Sequence, residues 1–349
     1  MALPQEKIEK ISLEVIKVLY SRFENFPEDA SKNRNAPFHV RFLAAFADKL
    51  NGKVSDIPFF ITLSSWLHGL NTTLGQNFFE NVAHILSDGE KREYTSKKLG
   101  NLLLDKKQKD NIHKIISNLS ITAEKPNLIE EDKLIFINEV TENDISDDFS
   151  ADVFFEENSQ IIAIELKTVR PNSGQMQSEK NKILQGKAAL YKKFPGKNVK
   201  FYLGFPFDPT SATEIGADKT KFMSSIINMN KFFVPDEILL ADELWSILSG
   251  EVGTMEFILS LINTISTLDF KEYYNFFNDR SNKENNLEVY KERLIKWNLF
   301  SELELVEKEN IIIEKIQADK KLTRIFNQFV FNEGKYNYER YNILKNIIS

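Results

Sequence analysis

The sequence predicts an α/β protein with a strand-rich centre between two largely helical flanks. Short apolar runs typical of strands cluster between residues 133 and 205, whereas apolar residues recur at three- and four-residue spacing before Pro126 and after Pro235. The chain has 349 residues, of which 42% are hydrophobic, enough to form a sizeable core in about two domains. Global disorder is therefore excluded.

The N-terminal flank is predicted to be helical in four stretches. The first begins at Pro4, a residue that suits the first turn of a helix, and the second covers residues 40–50. Gly75 is expected to break the pattern before the third helix, and residues 112–119 form the fourth. The apolar positions that define the first and third helices are Ile8, Ile11, Val15 and Leu19, then Phe78, Val82, Ile85 and Leu86.

The centre is predicted to contain four strands and one helix, and helices return after it. The strands cover residues 133–140, 151–157, 160–168 and 199–205, with a helix at 179–194. The later helices cover residues 238–248 and 255–265, and polar connectors lie near 278–286. We therefore expect a helical region 1–120 packing on an α/β core 121–235, followed by a helical region 236–349.

Composition excludes several classes of protein. The chain has no Cys, so it forms neither disulfides nor thiolate metal sites. Its longest apolar zone, residues 57–74, contains Thr, Ser, His and Asn, so no membrane partner is expected. The N-terminal residues MALPQEKIEK lack the apolar segment of a signal peptide, and we expect the protein in the cytoplasm.

Charge is distributed in blocks, although the net charge is only −6. Residues 124–157 carry a net charge of −10, and residues 165–200 carry a net charge of +7. A basic segment in an acidic protein can form a phosphate-binding surface, or its lysines can be the solvated faces of helices. The charge pattern alone favours the second interpretation.

The strand at residues 160–168, QIIAIELKT, carries two charges among apolar residues. Glu165 and Lys167 lie on the same face, because alternate residues of a strand share a face. Charged side chains are rarely buried unless they are paired. If residues 158 and 159 form a two-residue turn, Asp152 of the preceding strand lies directly opposite Glu165, with Cβ atoms roughly 5 Å apart.

Two carboxylates at this separation need a cation between them, and oxygen ligands suit Mg²⁺. Lys167, on the same face, can hold or polarise a water beside the metal. Asp152, Glu165 and Lys167 therefore predict a site that hydrolyses a phosphodiester. The alternative is a structural salt-bridge cluster of the same three residues. Asp147 and Asp148 are rival first acids, but their offset places them too far along the strand.

Asp152, Glu165 and Lys167 are similar to the PD-(D/E)XK nuclease signature, although Ala151 stands where that signature has Pro. Four longer runs resemble the TdeIII/MjaII family of type II restriction endonucleases, over roughly residues 60–250. These runs are SSWLHGLNTTLGQNFFENVA (64–83), IELKTVRPNSGQMQSEKNKIL (164–184), FYLGFPFDPTS (201–211) and DEILLADELWSILSG (236–250). The Lys-Thr-Val-Arg-Pro-Asn run makes the resemblance more specific than E-x-K alone.

The resemblance implies that residues 121–235 form a restriction-endonuclease-like catalytic core with a mixed sheet, and that residues 236–349 serve dimerisation or DNA recognition. It implies Mg²⁺-dependent cleavage of double-stranded DNA at a short palindrome. It also implies a homodimer and a companion DNA methyltransferase, and family members are associated with GGNCC-type sites. Related nucleases often add a helix-borne glutamate to the metal site, and Glu80 is the matching position. Alternatively, Glu80 is an exposed residue paired with His84 one turn later.

The segment after the catalytic strand is the candidate DNA-binding segment, because the chain there cannot lie far from the cleaved phosphate. Its basic and amide side chains suit base edges in the major groove. For each residue, phosphate contact or solvation is the alternative to base reading. The candidates are Arg170, Asn172, Gln175, Gln177, Lys180 and Lys182.

Two other functions compete with a site-specific restriction endonuclease. One is a repair or modification-dependent nuclease of the same fold, which discrete or smeared digestion products would distinguish. The other is a non-catalytic helical interaction protein whose ion pairs are structural. Absence of Mg²⁺-dependent nuclease activity would favour this non-catalytic interpretation.

Overall fold

A computed structural model describes residues 3–29, 37–54, 56–121, 124–137, 142–168 and 175–348. It confirms the predicted α/β class, with a mixed five-stranded sheet and helical flanks consistent with a restriction-endonuclease-like fold. The strands are β1 (Glu90–Tyr94), β2 (Leu103–Asp105), β3 (Asn143–Ile145), β4 (Phe149–Glu157), β5 (Gln160–Leu166), β6 (Asn198–Phe205), β7 (Ile238–Leu240), β8 (Phe331–Asn332) and β9 (Lys335–Tyr336).

Helices account for most of the described chain. A π-helical turn, Leu74–Phe78, follows α4, and a 3₁₀ turn, Pro235–Glu237, precedes β7. The α-helices are α1 (Gln5–Glu24), α2 (Pro37–Ala44), α3 (Ala47–Leu50), α4 (Ile57–Thr73), α5 (Phe79–Ser87), α6 (Lys106–Ile121), α7 (Leu128–Ile135), α8 (Gln175–Lys193), α9 (Lys219–Ser224), α10 (Met229–Phe232), α11 (Asp242–Ser249), α12 (Thr254–Ile265), α13 (Phe270–Asn278), α14 (Arg280–Asn285), α15 (Leu287–Lys296), α16 (Phe300–Glu307), α17 (Glu309–Ile316), α18 (Lys320–Phe326) and α19 (Tyr338–Ile348).

The chain divides into two compact units. The sheet unit contains Phe79–Ile258, and the helical unit contains Pro4–Phe78 with Leu259–Ser349. This division by contacts differs from the three regions expected from the sequence, whose separate roles stay a prediction. Among the described residues, no single helix is long and apolar enough to cross a membrane, although α11 and α12, bent by 96°, reach that length and composition together.

The five-stranded sheet of the sheet unit has the order β1-β4-β5-β6-β7. β4 is antiparallel to both of its neighbours, whereas β5, β6 and β7 are parallel to one another. The parallel pair β5 and β6 needs a crossover connection, which α8 provides. Gly186 lets α8 approach the sheet closely, because a Cβ there would lie 2.6 Å from the Phe201 ring.

The β4–β5 hairpin has the predicted register. Glu157 pairs with Gln160, and the ladder continues to Val153 opposite Ile164. Asn158 and Ser159 form the two-residue turn with φ angles of 47° and 63°. Positive φ at both turn residues gives a twist that matches the twist of the two strands.

The helical unit has its own aromatic core. The Trp297 ring stacks on Phe270, with 5.4 Å between ring centroids, and meets Phe277 edge-on at 5.3 Å. Arg340 and Glu302 form a buried ion pair with an N–O distance of 2.7 Å. This unit therefore has an interior separate from that of the sheet unit.

Two element predictions were wrong in type. Residues 133–135 belong to helix α7 and not to a strand, because Asn127 caps that helix by accepting the backbone N–H of Glu130; residues 138–140 lie outside the described residues. Residues 238–240 form β7 and not the start of a helix, because all three are buried beside β6. Periodicity cannot distinguish a short buried strand from a buried helix.

Smaller differences concern boundaries and omissions. Gly75 does not break the helical pattern but lies in the π-helical turn after α4. The polar connector at 278–286 contains helix α14, which Asp279 caps. Strands β1, β2, β3, β8 and β9 were not predicted from the sequence. The remaining predicted strands and the helices at 179–194, 112–119 and 255–265 are confirmed within a few residues at their ends.

Candidate active site

Asp152 lies in β4, next to Val153, the residue of the last backbone pair between β4 and β5. Its Oδ2 accepts the backbone N–H of Leu166 at 2.9 Å, which ties the carboxylate to the strand that carries Glu165. On the other edge of β4, the pairing with β1 shifts register, so that Asp152 and Val153 oppose the single residue Lys91. β-Bulges of this kind redirect side chains and are common beside active sites.

The first group of charges, here called the Lys91 cluster, consists of Glu80, Lys91 and Asp152. The Lys91 Nζ lies 2.7 Å from Glu80 Oε1 and 3.1 Å from Asp152 Oδ1. Burial favours the neutral amine, but the hydrogen bond to Glu80 and the charge of Asp152 outweigh it and raise the pKa of Lys91. Two carboxylates from α5 and β4 therefore share one cation.

The second group, here called the Glu165 cluster, surrounds the carboxylate of β5. The Glu165 Oε1 lies 2.9 Å from the Nζ of Lys167 and 2.7 Å from the Nζ of Lys182. Lys182 also donates to Ser150 Oγ at 3.1 Å, and Lys167 is 2.9 Å from Glu179. Glu165 is buried. Two lysines from different elements therefore compensate its charge.

The surroundings of Lys167 favour the charged, ammonium form of its side chain. Burial, the largest single effect, favours its neutral form, but Glu165 and Glu179 together outweigh burial and raise the pKa of Lys167 above its ordinary value. An ammonium group can hold a water molecule or stabilise negative charge, and it has no lone pair with which to accept a proton. The second role expected from the sequence, polarisation of a water, is compatible with this state.

The structure brings most of the predicted catalytic residues to one end of the β4–β5 hairpin. Asp152 and Glu165 lie on adjacent strands, and Lys167 pairs with Glu165. Glu80 does not pair with His84, the alternative partner expected from the sequence, but with Lys91. His84 Nε2 instead donates to the Asp152 carbonyl at 2.7 Å. The alternative interpretation was one salt-bridge cluster of Asp152, Glu165 and Lys167. The structure shows two clusters instead, because Asp152 pairs with Lys91 whereas Lys167 pairs with Glu165 and Glu179.

The candidate DNA-binding residues do not form one surface. Lys180 is fully buried between Glu131 and Glu237, with both N–O distances at 2.6 Å. A side chain without solvent exposure cannot reach a DNA base, so the expectation for Lys180 was wrong in this structure. Lys182 belongs to the Glu165 cluster. Gln175 and Gln177 are exposed at the start of α8, whereas Arg170 and Asn172 lie outside the described residues.

The basic and acidic blocks of the sequence neutralise each other. Lys187, which is buried, pairs with Asp132, and Lys197 pairs with Glu156. The Lys180–Glu131 pair described above joins the same two blocks. Neither a phosphate-binding surface nor a solvated helix face describes Lys180 and Lys187, because both are buried and their partners come from distant parts of the chain.

Sequence reasoning missed Lys91, Glu179 and Ser150. Glu179 and Lys182 are three residues apart, a spacing that places both on one side of α8, and this signal was available. Lys91 gave no comparable signal, because β1 was not predicted and its pairing with β4 is a long-range contact. The structure also gives His84 a role as a donor to the strand that carries Asp152.

The carboxylates of the Lys91 cluster fit a hard divalent cation. No group of three His, Asp or Glu side chains converges in the residues that the structure describes. However, Mg²⁺ is usually bound by only one or two carboxylates, with water and substrate phosphates completing its shell. Glu80 and Asp152, which already share the ammonium group of Lys91, provide such a pair of carboxylates.

The carboxylates and lysines at this end of the hairpin are the groups that metal-assisted hydrolysis of a phosphodiester uses. Residues 3–266 match the HinfI family of type II restriction endonucleases. The chain is also 42% identical, over 363 aligned residues, to the type II restriction enzyme MjaII of Methanocaldococcus jannaschii. That alignment covers 97% of this chain and 96% of the relative.

The chain therefore belongs to the HinfI family of type II restriction endonucleases. Its similarity to MjaII confirms the resemblance noted from the sequence. The expected enzyme class, a site-specific deoxyribonuclease, follows from this membership.

Proposed function

We propose that this protein hydrolyses double-stranded DNA at a short palindromic site, with Mg²⁺ held in a site of the PD-(D/E)XK type. The observation that carries the proposal is the position of Asp152, whose carboxylate accepts the backbone N–H of Leu166, the residue between Glu165 and Lys167. The convergence of Glu80 on the same cation as Asp152 supports Glu80 as an additional ligand.

Each residue has a distinct part in this proposal. Asp152, Glu165 and Glu80 would hold the ion through carboxylate oxygens. A bound Mg²⁺ supplies a Lewis acid for the phosphate and lowers the pKa of a coordinated water. Lys167 holds the attacking water with its ammonium group, and Glu165 and Glu179 keep that group in place.

The partners follow from the substrate. We propose a homodimer, because a two-fold dimer presents one active site to each strand of a palindrome. A GGNCC-type site, a companion DNA methyltransferase and a cytoplasmic location complete the proposal, and they rest on the family resemblance. Gln175, Gln177, Arg170 and Asn172 remain the candidates for contacts with DNA.

Digestion of a sequenced phage DNA tests the proposal directly. We expect discrete fragments with Mg²⁺, none with EDTA, and fragment ends that map to one palindrome. Smeared products would instead indicate the repair or modification-dependent nuclease. No Mg²⁺-dependent cleavage under any condition would indicate that the ion pairs are structural and that the chain is not a nuclease.

A further inference from the structure

Lys91 stands in the place that a cation between Glu80 and Asp152 would take. Its Nζ is 2.7 Å from Glu80 Oε1 and 3.1 Å from Asp152 Oδ1. The side chains of the two carboxylates are only 18% and 14% exposed. Two carboxylates held this close repel each other, so a positive charge between them is needed for the arrangement to persist.

The strand that carries Lys91 gives its side chain a route to solvent. β1 is an edge strand, and the register shift opposite Asp152 and Val153 directs Lys91 towards β4. The Lys91 side chain is 38% exposed, compared with 22% for Lys167 and 21% for Lys182 in the Glu165 cluster. The long, flexible lysine stem can therefore swing outwards without rearrangement of the sheet.

We propose that Lys91 is an internal counter-ion for the metal site, a positioning residue that holds Glu80 and Asp152 together until a divalent cation displaces it. This inference rests on the proposed function, because it takes the two carboxylates as metal ligands. The ammonium group and the metal compete for the same oxygens, so the protein with an empty site keeps its geometry and binds metal less tightly than the bare carboxylates would.

Binding of Mn²⁺ to the full-length protein, followed through the spectrum of free Mn²⁺ in electron paramagnetic resonance, tests the competition without any need for cleavage. We expect Lys91→Met to bind Mn²⁺ about tenfold more tightly, because a repelling charge a few ångströms away is removed. Lys91→Arg, which keeps the charge, should bind with wild-type affinity. Lys98→Met is the matched control, since Lys98 pairs with Glu93 at 3.7 Å on the surface.

A second measurement is thermal unfolding in EDTA. Lys91→Met should unfold at a lower temperature than wild type, because its two carboxylates then lie together without a cation. Saturating Mn²⁺ should remove this difference between the unfolding temperatures. Lys91→Gln replaces Lys91→Met if the latter does not fold.

The outcomes separate this inference from the proposed function. If Asp152→Ala binds Mn²⁺ as wild type does, the proposed metal site is wrong. If wild type binds Mn²⁺ through Asp152 but Lys91→Met binds it equally or more weakly, only the counter-ion role is overturned.

Discussion

Glu165 accepts both of its lysine partners through one oxygen, Oε1, although the two lysines lie two and seventeen residues further along the chain. Lys167 lies just after the end of β5, and Lys182 comes from the crossover helix α8. Because a buried carboxylate without a partner is costly, the two lysines explain how a charged residue is accommodated in a strand that is otherwise apolar. They also mean that removal of one lysine leaves the charge compensated.

This redundancy allows a clean test of Lys167. We expect Lys167→Met to fold, because Glu165 keeps Lys182, and to lower the rate of cleavage by about 10³-fold, as loss of a group that stabilises a transition state does. Binding to cognate DNA in Ca²⁺ should change much less than the rate. The measurements are single-turnover cleavage and a binding titration, with Lys98→Met as control. A variant that cleaves at the wild-type rate would show that Lys167 is structural.

Lys180 has a structural part that a stability measurement can establish. Its partners Glu131 and Glu237 are buried, and burial, the largest effect, raises the pKa of Glu237 despite the nearby lysine. Lys180→Met leaves both carboxylates without a cation, so we expect a loss of about 3–5 kcal/mol. Urea unfolding measures this. Lys133→Met, which removes an exposed pair with Glu130, should cost less than about 1 kcal/mol.

The β4–β5 hairpin is the element that determines the site. Its two-residue turn fixes the register, and a slip of one residue would turn Glu165 and Lys167 to the opposite face. Asn158 and Ser159 both have positive φ, a conformation that Asn tolerates and Ser does not favour. The turn therefore holds the register at some cost in backbone strain.

Substitution of the second turn residue tests this strain. Ser159→Gly should stabilise the protein by about 0.5–1 kcal/mol, because glycine adopts positive φ freely and Asn-Gly is the preferred turn of this type. Ser159→Ala should give no such gain, since alanine keeps the Cβ. Chemical denaturation of the three proteins provides the comparison. Equal stability of the Gly and Ala variants would contradict the strain argument.

Helix α8 both completes the Glu165 cluster and forms buried ion pairs with neighbouring elements. Its first turns carry Glu179 and Lys182, which complete the Glu165 cluster, and Lys180, which is buried on the side of α7 and the 3₁₀ turn. Lys187, further along, pairs with Asp132 of α7. Most of the basic residues that suggested a DNA-binding surface therefore form ion pairs within the sheet unit.

At the scale of the whole molecule, both charge clusters lie in the sheet unit. Glu80, the first residue of the site in chain order, and Lys182, the last, fall within Phe79–Ile258. The helical unit has a separate aromatic interior around Trp297. A ligand that binds a folded region protects that region from local opening.

Hydrogen exchange with and without Mn²⁺ should show this division. We expect slower exchange in peptides that cover α5, β1, β4 and β5, and unchanged exchange in peptides from Leu259–Ser349. Mass spectrometry of the exchanged peptides measures both in one experiment, and Asp152→Ala, which lacks a proposed ligand, should show no protection. Protection centred on the helical unit would place the metal elsewhere in the chain.

The sequence by itself determined the class of the fold and the register of the hairpin that carries the proposed catalytic residues. Strand alternation located Glu165 and Lys167 on one face, and the two-residue turn located Asp152 next to them, because both are local relations with a period of two residues. The structure confirms that register from Glu157 opposite Gln160 to Val153 opposite Ile164. The metal bound by these residues, the DNA site and the dimer stay predictions.

Only the tertiary structure decided which charges meet. Lys91 reaches Asp152 because β1 pairs with β4 across more than fifty intervening residues, and Lys180 is buried because α8 packs against α7 and the turn before β7. Local patterns cannot reveal such pairs, since charged residues on a helix look alike in sequence whether they face solvent or a distant partner. The physical reason is that burial and ion pairing depend on which elements pack together, and packing is a property of the whole chain.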